Sequence, residues 1–445
     1  MKKALPLLLV LALAASMLPA AMAERVSIPD ALRFTQKTTP RDYVRDQQYV
    51  ISTYPTTANE KVNKEMNDLI SQMEARGRAN LPKGKIETLK PSYLNVSPTI
   101  YRTGSQWMSF LTIARIAYER EQTYVDFDAR VYDMISGDTV KLSDLFSPDS
   151  EAWKLIADEV RSQLSLYFMT ETADDEALNA LCQREALENA AFTLTPAKIQ
   201  LHYRADSLYP GKNTLMHVKL YYSKIRPFMN EKGREITDNS KYKMIALTYD
   251  DGGAKGSTMN LIAKLQQYGA NATFFIVGTM MGANHYVMAH QHDAGYAMAS
   301  HNWEHVYEDL TPENIMNWKA RFDAAMDSIV GIRPEYMRAP GGHYAAFINA
   351  NVGMSLIQWS INSSDAGNDN VAGIAATVKN NIHDGGIGLM HDINPKAYSY
   401  TETILEELEH RDYLCVTVDE LFDHYGVPME PNQMYTSLKE EAKAQ

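Results

Sequence analysis

The stretch Met244-Ile245-Ala246-Leu247-Thr248-Tyr249-Asp250-Asp251-Gly252-Gly253 decides the fold. A short apolar run ending in turn glycines reads as a buried strand, and this one delivers two adjacent carboxylates to one sheet edge. Such acids are costly to bury unless they meet a metal, an arginine or a hydrogen-bond network. The chain downstream supplies candidates for all three. They come in order as Ser300-His301-Asn302-Trp303-Glu304-His305, Arg338-Ala339-Pro340 and Leu389-Met390-His391-Asp392.

Around that strand the pattern alternates. Apolar runs at 244–249, 272–277, 296–299, 335–338, 355–359, 387–390 and 415–418 read as strands, and helical spacing covers 257–268, 284–292, 312–330, 371–381 and 401–409. Repeated β-then-α units of this length imply a parallel sheet with helices outside it, open or closed into a barrel. The site of such a sheet lies at the carboxyl ends of its strands, where each of these motifs falls.

His301 and His305, with Asp251, offer two nitrogens and one oxygen. Three protein ligands that leave a position open are the pattern of a catalytic divalent site. A His-x-x-x-His pair alone says little, but with Asp250-Asp251 upstream it points to a metal. Zinc fits the donor set, and cobalt, nickel or another divalent ion also suits imidazole and carboxylate.

In order and setting, these motifs resemble those of the polysaccharide deacetylase family, the NodB-homology enzymes of carbohydrate esterase family 4. The resemblance implies a distorted (β/α) barrel catalytic domain over 236–430, with the metal on Asp251, His301 and His305. It makes Asp250 the general base that takes a proton from the attacking water, and Arg338 the partner that holds its carboxylate. His391 matches the general acid, since an amine leaving group needs a proton. Asp365 is the carboxylate that tunes His391, and Leu389 the apolar wall for the acetyl methyl group. Where many relatives carry a tyrosine after the proline, this chain has Gly341, which keeps the backbone N–H that donates to the oxyanion. The fourth motif departs most. Relatives usually show Asp-x-x-Asp-Trp, whereas Asn362-Ser363-Ser364-Asp365-Ala366 keeps only the second acid.

Before 236 the reading is a smaller α+β domain over 24–235. Strands are expected at 49–54, 93–101, 108–118, 123–132, 191–195, 198–203 and 215–222, with helices at 60–74 and 150–168. The stretch Tyr132 to Phe146, with Ser136-Gly137-Asp138 as its turn, resembles an extracytoplasmic module that precedes deacetylase domains in some Gram-positive wall enzymes and occurs in lysozyme-responsive anti-sigma factors. His202 and His217 read as isolated strand histidines. Pro227 and the charged stretch 230–243 read as a linker, so the halves are expected to fold separately, and 431–445 reads as a tail.

Residues 1–23 have the charged start, apolar core and Ala21-Met22-Ala23 exit of a secretory signal, with an uncleaved anchor as the alternative. Their removal takes two lysines and moves the formal charge from −12 to −14. An acidic chain without a basic run has no electrostatic case for nucleic acid, and no membrane insertion is expected unless the signal stays uncleaved. The two cysteines, Cys182 and Cys415, exclude a disulfide-built fold. The expectation is therefore a secreted, wall-associated, metal-dependent enzyme that removes acetyl groups from an N-acetylated glycan, with peptidoglycan the leading substrate. An O-acetyl esterase acting on xylan and a non-catalytic glycan-binding or envelope-sensing protein are the rivals.

Overall fold

The computed structural model describes residues 28–45, 47–83, 90–119, 121–253 and 255–438. The expected signal at 1–23 and the last residues of the expected tail lie outside them. The apolar run from Met244 forms the strand Lys243–Asp251, whose residues from Met244 to Asp250 are all buried. Burial on both faces explains why it reads as a continuous apolar run rather than an alternating one. It is central to a parallel sheet, pairing with Gly386–His391 on one side and with Thr273–Ile276 on the other. Tyr413–Val416 pairs with its first half. From Thr273–Ile276 the sheet continues through Ala297–Ser300, Tyr336–Met337 and Ser355–Ile357, and from Gly386–His391 to Ile361–Asn362. Helices link most successive strands, as Lys255–Tyr268, His285–Asp293, Pro312–Val330, Val371–Asn381 and Ala397–His410. The result is an α/β fold with an incomplete barrel, which stays open among the described residues because Ile361–Asn362 and the last strand are its two edges. That last strand is Met434–Tyr435, which pairs with Ser355–Ile357 and buries Tyr435. This part of the expected tail is thus an edge of the sheet.

The N-terminal half is built on antiparallel ribbons. Ser92–Thr103, Trp107–Tyr118 and Glu121–Asp133 pair in sequence order, with Gln48–Thr57 beside the first. The helix Glu60–Ala79 lies against them. Asn59 caps its start by accepting from the Lys61 and Val62 N–H groups, and Val62, Met66, Leu69, Ile70 and Met73 form its buried stripe. At Gly77 a methyl group would sit 2.6 Å from the Leu94 side chain, so helix and sheet meet there at close range. A three-stranded sheet of Phe192–Leu194, Lys198–Arg204 and Leu215–Tyr221 completes this half.

The halves do not meet as two surfaces joined by a linker. One apolar cluster contains Met66, Leu94 and Met108 from the first and Met244, Phe275 and Val416 from the second. Buried polar contacts also cross between them. Lys198 Nζ donates to Asp419 Oδ2 at 2.7 Å, Arg102 to Glu409 at 3.0 Å, and Tyr101 OH to the Ala294 carbonyl at 2.9 Å. No described helix is long and apolar enough to cross a membrane.

Candidate active site

The carboxyl ends of neighbouring strands bring the residues together. Asp250 and His391 are register partners on adjacent strands, and His301 and Arg338 each follow directly on a strand end. Side chains two apart share a strand face, so Thr248 and Asp250 point the same way. Arg338, fully buried, is the clamp between them. Its Nη1 donates to Asp250 Oδ1 at 2.7 Å and to Thr248 Oγ1 at 2.7 Å, its Nε to the Ile357 carbonyl, and its Nη2 to the Gln358 carbonyl. The guanidinium also lies 4.1 Å over the Phe275 ring. Four acceptors around the guanidinium hold this cation in one orientation, and with it one Asp250 oxygen.

In a regular strand Asp251 would face away from Asp250. It does not, because the backbone turns at Asp251 itself, with φ 81°, followed by Gly252 at 74° and Gly253 at 73°. Three successive residues in this region swing the Asp251 carboxylate back over the strand end. Asp392 pins the turn by accepting from the Gly252 N–H at 2.9 Å and the Thr258 hydroxyl at 2.7 Å. Burial, with Asp250 and Asp251 nearby, pushes the Asp392 carboxyl up to about 7 against these two hydrogen bonds.

The turn sets Asp251 Oδ1 at 3.7 Å from His301 Nε2 and 3.6 Å from His305 Nε2. The three ligand atoms all lie within 4.8 Å of one another. His301 Nδ1 donates to the Arg338 carbonyl at 2.8 Å, which fixes the tautomer and leaves the Nε2 lone pair facing the group. Asp251 Oδ1 is buried and has no hydrogen-bond partner among the described residues. A carboxylate oxygen without a partner and an imidazole lone pair close to it fit a divalent cation, which accepts both at once.

His391 stands across the cleft. Its Nδ1 donates to Asp365 Oδ1 at 2.8 Å, leaving Nε2 as the free ring nitrogen. Asp365, almost fully buried, also accepts from Ser363 Oγ, the His391 N–H and the Tyr400 hydroxyl. Burial lowers the His391 pKa, but the Asp365 hydrogen bond and charge, helped by Asp250 and Asp251, outweigh it and lift the ring to about 9. A divalent ion beside Asp251 would offset part of that lift. Burial works against the charged form of Asp365 too, and its hydrogen bonds still hold the carboxyl below the ordinary value.

These side chains surround a cleft of about 490 Å³ whose walls include Asp250, Asp251, His301, His305, Gly341, Asp365, Leu389 and His391. Arg338 lies behind Asp250. Asn362, which stands where relatives usually carry an acid, is exposed and accepts from the Ser364 N–H. It therefore shapes a turn, while Tyr400 and Ser363 steady Asp365. No tryptophan follows Asp365, but Trp359 lines the cleft, as does Tyr307. Sequence reasoning quoted Asp392 within the His391 motif without giving it a role, and missed Tyr400, Tyr307 and Trp359 as parts of the site. Asp392 alone carried a signal, as an acid directly after His391. His202 and His217 are not isolated. They face each other across a strand pair with their Nδ1 atoms 2.8 Å apart. Burial pushes the pKa of both rings well down, so both sit neutral; His217 Nε2 then donates to the His292 carbonyl, its Nδ1 accepts and His202 Nδ1 donates.

Residues 237–354 match the family described as "Polysaccharide deacetylase". The chain is 28% identical over 236 residues to the peptidoglycan-N-acetylglucosamine deacetylase PgdA of Listeria monocytogenes, covering 51% of this chain and 50% of the relative. It is 30% identical over 200 residues to a peptidoglycan-N-acetylglucosamine deacetylase of Bacillus cereus, covering 42% of this chain and 91% of that one. It is 26% identical over 189 residues to the peptidoglycan-N-acetylmuramic acid deacetylase PdaC of Bacillus subtilis, with 42% and 40% covered. Against PgdA and PdaC the chain thus spans half of the relative's length or less.

Proposed function

This chain belongs to the polysaccharide deacetylase family, and we propose that it is a metal-dependent de-N-acetylase acting on the amino sugars of peptidoglycan. The observation that carries the proposal is one cleft with an Asp–His–His cluster and the Arg338-clamped Asp250 on one side, and the Asp365–His391 pair on the other. A surface glycan-binding protein has no use for a buried arginine that fixes one carboxylate oxygen. The relatives' names support peptidoglycan, and with it an exported, wall-associated protein.

Asp251, His301 and His305 would hold a divalent ion, zinc or cobalt suiting the donors. When bound, it supplies Lewis-acid polarisation of the acetyl carbonyl and lowers the pKa of water. Asp250, its Oδ1 held by Arg338, takes the proton of the attacking water on Oδ2. The Gly341 N–H donates to the oxygen as negative charge develops on it. His391 Nε2 gives its proton to the sugar nitrogen as the C–N bond breaks, because an unprotonated amide anion is too poor a leaving group. Asp365 keeps His391 in the charged form that can do so. Leu389 walls the acetyl methyl group, so the acetyl unit is the part enclosed. The catalytic role falls to the half from 236 onward, including the edge strand Met434–Tyr435, with the described residues between 28 and 235 packed against it as an accessory module.

The test is acetate released from N-acetylchito-oligosaccharide, purified peptidoglycan and acetylated xylan, with and without chelator. Release from peptidoglycan or chito-oligosaccharide that stops on chelation supports the proposal. Release from xylan alone, or none from any, overturns it.

A further inference from the structure

We infer that Tyr307 is the sugar-stacking platform of the cleft, and that it sets a preference for a polymer over a single acetylated sugar. The inference rests on the deacetylase reading above. Gly341 has φ 59°, and a methyl group added to it would lie 2.6 Å from Cε1 of Tyr307, so the ring already fills the space over this glycine. An ordinary side chain at position 341 and the Tyr307 ring exclude one another.

The ring is fixed without being covered. The His305 ring meets it edge-on, with centroids 5.3 Å apart and planes at 82°, and the His343 ring lies 5.5 Å away at 48°. No hydrogen bond to its hydroxyl exists among the described residues, so packing alone sets its position. Yet Tyr307 is 55% exposed, and that exposed surface opens to the cleft and solvent. On the far side of the same loop, Trp359 approaches within 3.6 Å of the place a Gly342 methyl group would take. Across the cleft Ile393 is 41% exposed. An apolar rim on both walls suits the C–H faces of pyranose rings, while the charged groups stay at the bottom with the acetamide. A ring on Tyr307 would belong to a sugar beside the one being deacetylated, since the acetyl group itself is held between Leu389 and the cluster.

Kinetics on N-acetylchitotetraose and on an activated aryl acetate, with metal content measured, test this. Tyr307→Ala is expected to lower kcat/KM on the tetraose by about 3- to 10-fold more than on the aryl acetate, mainly through KM, as the loss of one stacked ring contributes. Tyr307→Phe is expected to recover to within about twofold of wild type, because stacking needs the ring and not the hydroxyl. Equal losses on both substrates, a Phe variant as poor as the Ala variant, or a loss that tracks metal content through His305 each overturn the inference. Wild-type inactivity on the tetraose and on purified peptidoglycan alike would instead overturn the deacetylase reading. The platform is then decided by tetraose binding, which Tyr307→Ala must weaken if the inference is right.

Discussion

Replacing Asp365 by asparagine separates chemistry from packing, because the volume is kept and the charge removed. Its Oδ1 accepts from His391 Nδ1 at 2.8 Å and Ser363 Oγ at 2.8 Å, and its Oδ2 from the His391 N–H at 2.9 Å and Tyr400 OH at 2.6 Å. An amide must direct its NH2 at one of these pairs. At the Oδ2 place it meets the His391 backbone N–H, donor against donor. At the Oδ1 place it can donate to Nδ1 only if the ring is neutral. Either way the imidazolium loses a hydrogen bond to a charged group, which contributes about 1.5–3 kcal/mol. At about 1.4 kcal/mol per unit this lowers the His391 pKa by about 1–2 units. A general acid must hold its proton to give it, so activity is lost as pH rises through that pKa, and a lower pKa moves the loss to lower pH. The assay is kcat/KM against pH on N-acetylchito-oligosaccharide, both enzymes saturated with metal. The alkaline limb of Asp365→Asn is expected about 1–2 units more acid than that of wild type. A limb that stays in place would refute the claim that Asp365 holds His391 charged.

Three further outcomes follow from the packing. Arg338→Met leaves the Asp250 carboxylate buried without its cation and is expected to cost about 3–5 kcal/mol, read as a lower Tm; an unchanged Tm would deny the clamp. Gly252→Ala places a methyl group 3.0 Å from the Ile276 backbone at φ 74°. The strain, about 1–3 kcal/mol, should weaken metal binding in a titration, and unchanged affinity would disconnect the turn from the site. A fragment beginning at 236 strips Lys198 from Asp419 and Arg102 from Glu409, and opens the shared apolar cluster. It is expected to aggregate or to melt well below the full chain; a fragment with the full chain's Tm would show that the shared core adds nothing.

The parallel sheet and most of the residues that the candidate cleft brings together were legible because apolar runs and chemical motifs coincide at strand ends. The helix Val371–Asn381 was readable to the residue, since an Asn370 cap marks its start. The early strands Phe34–Thr38 and Asp42–Arg45 were missed, as mostly exposed side chains at a sheet edge leave no apolar period to read. For the adjacent aspartates, sequence assigned the turn to Gly252 and Gly253. The structure starts it one residue earlier, at an aspartate, a residue that tolerates positive φ better than most but does not announce it, and Asp392, just beyond the same end of the neighbouring strand, helps to hold it. The Tyr400 bond to Asp365 and the Tyr307–Gly341 contact each join segments separated by a helix and a strand. Such contacts exist only once the fold brings them together. For the same reason the shared core between the halves, built from runs that look like two separate interiors, was invisible in the chain.

The most direct test of the central claim titrates divalent metal into purified Asp250→Asn and Asp251→Asn while acetate release from an N-acetylated glycan is followed. Asp250→Asn should bind metal with near wild-type stoichiometry and release no acetate, since an amide cannot accept the water's proton. Asp251→Asn should bind metal more weakly, having lost a charged ligand. Full turnover by metal-loaded Asp250→Asn, or loss of metal from it while Asp251→Asn stays active at saturation, would contradict the account.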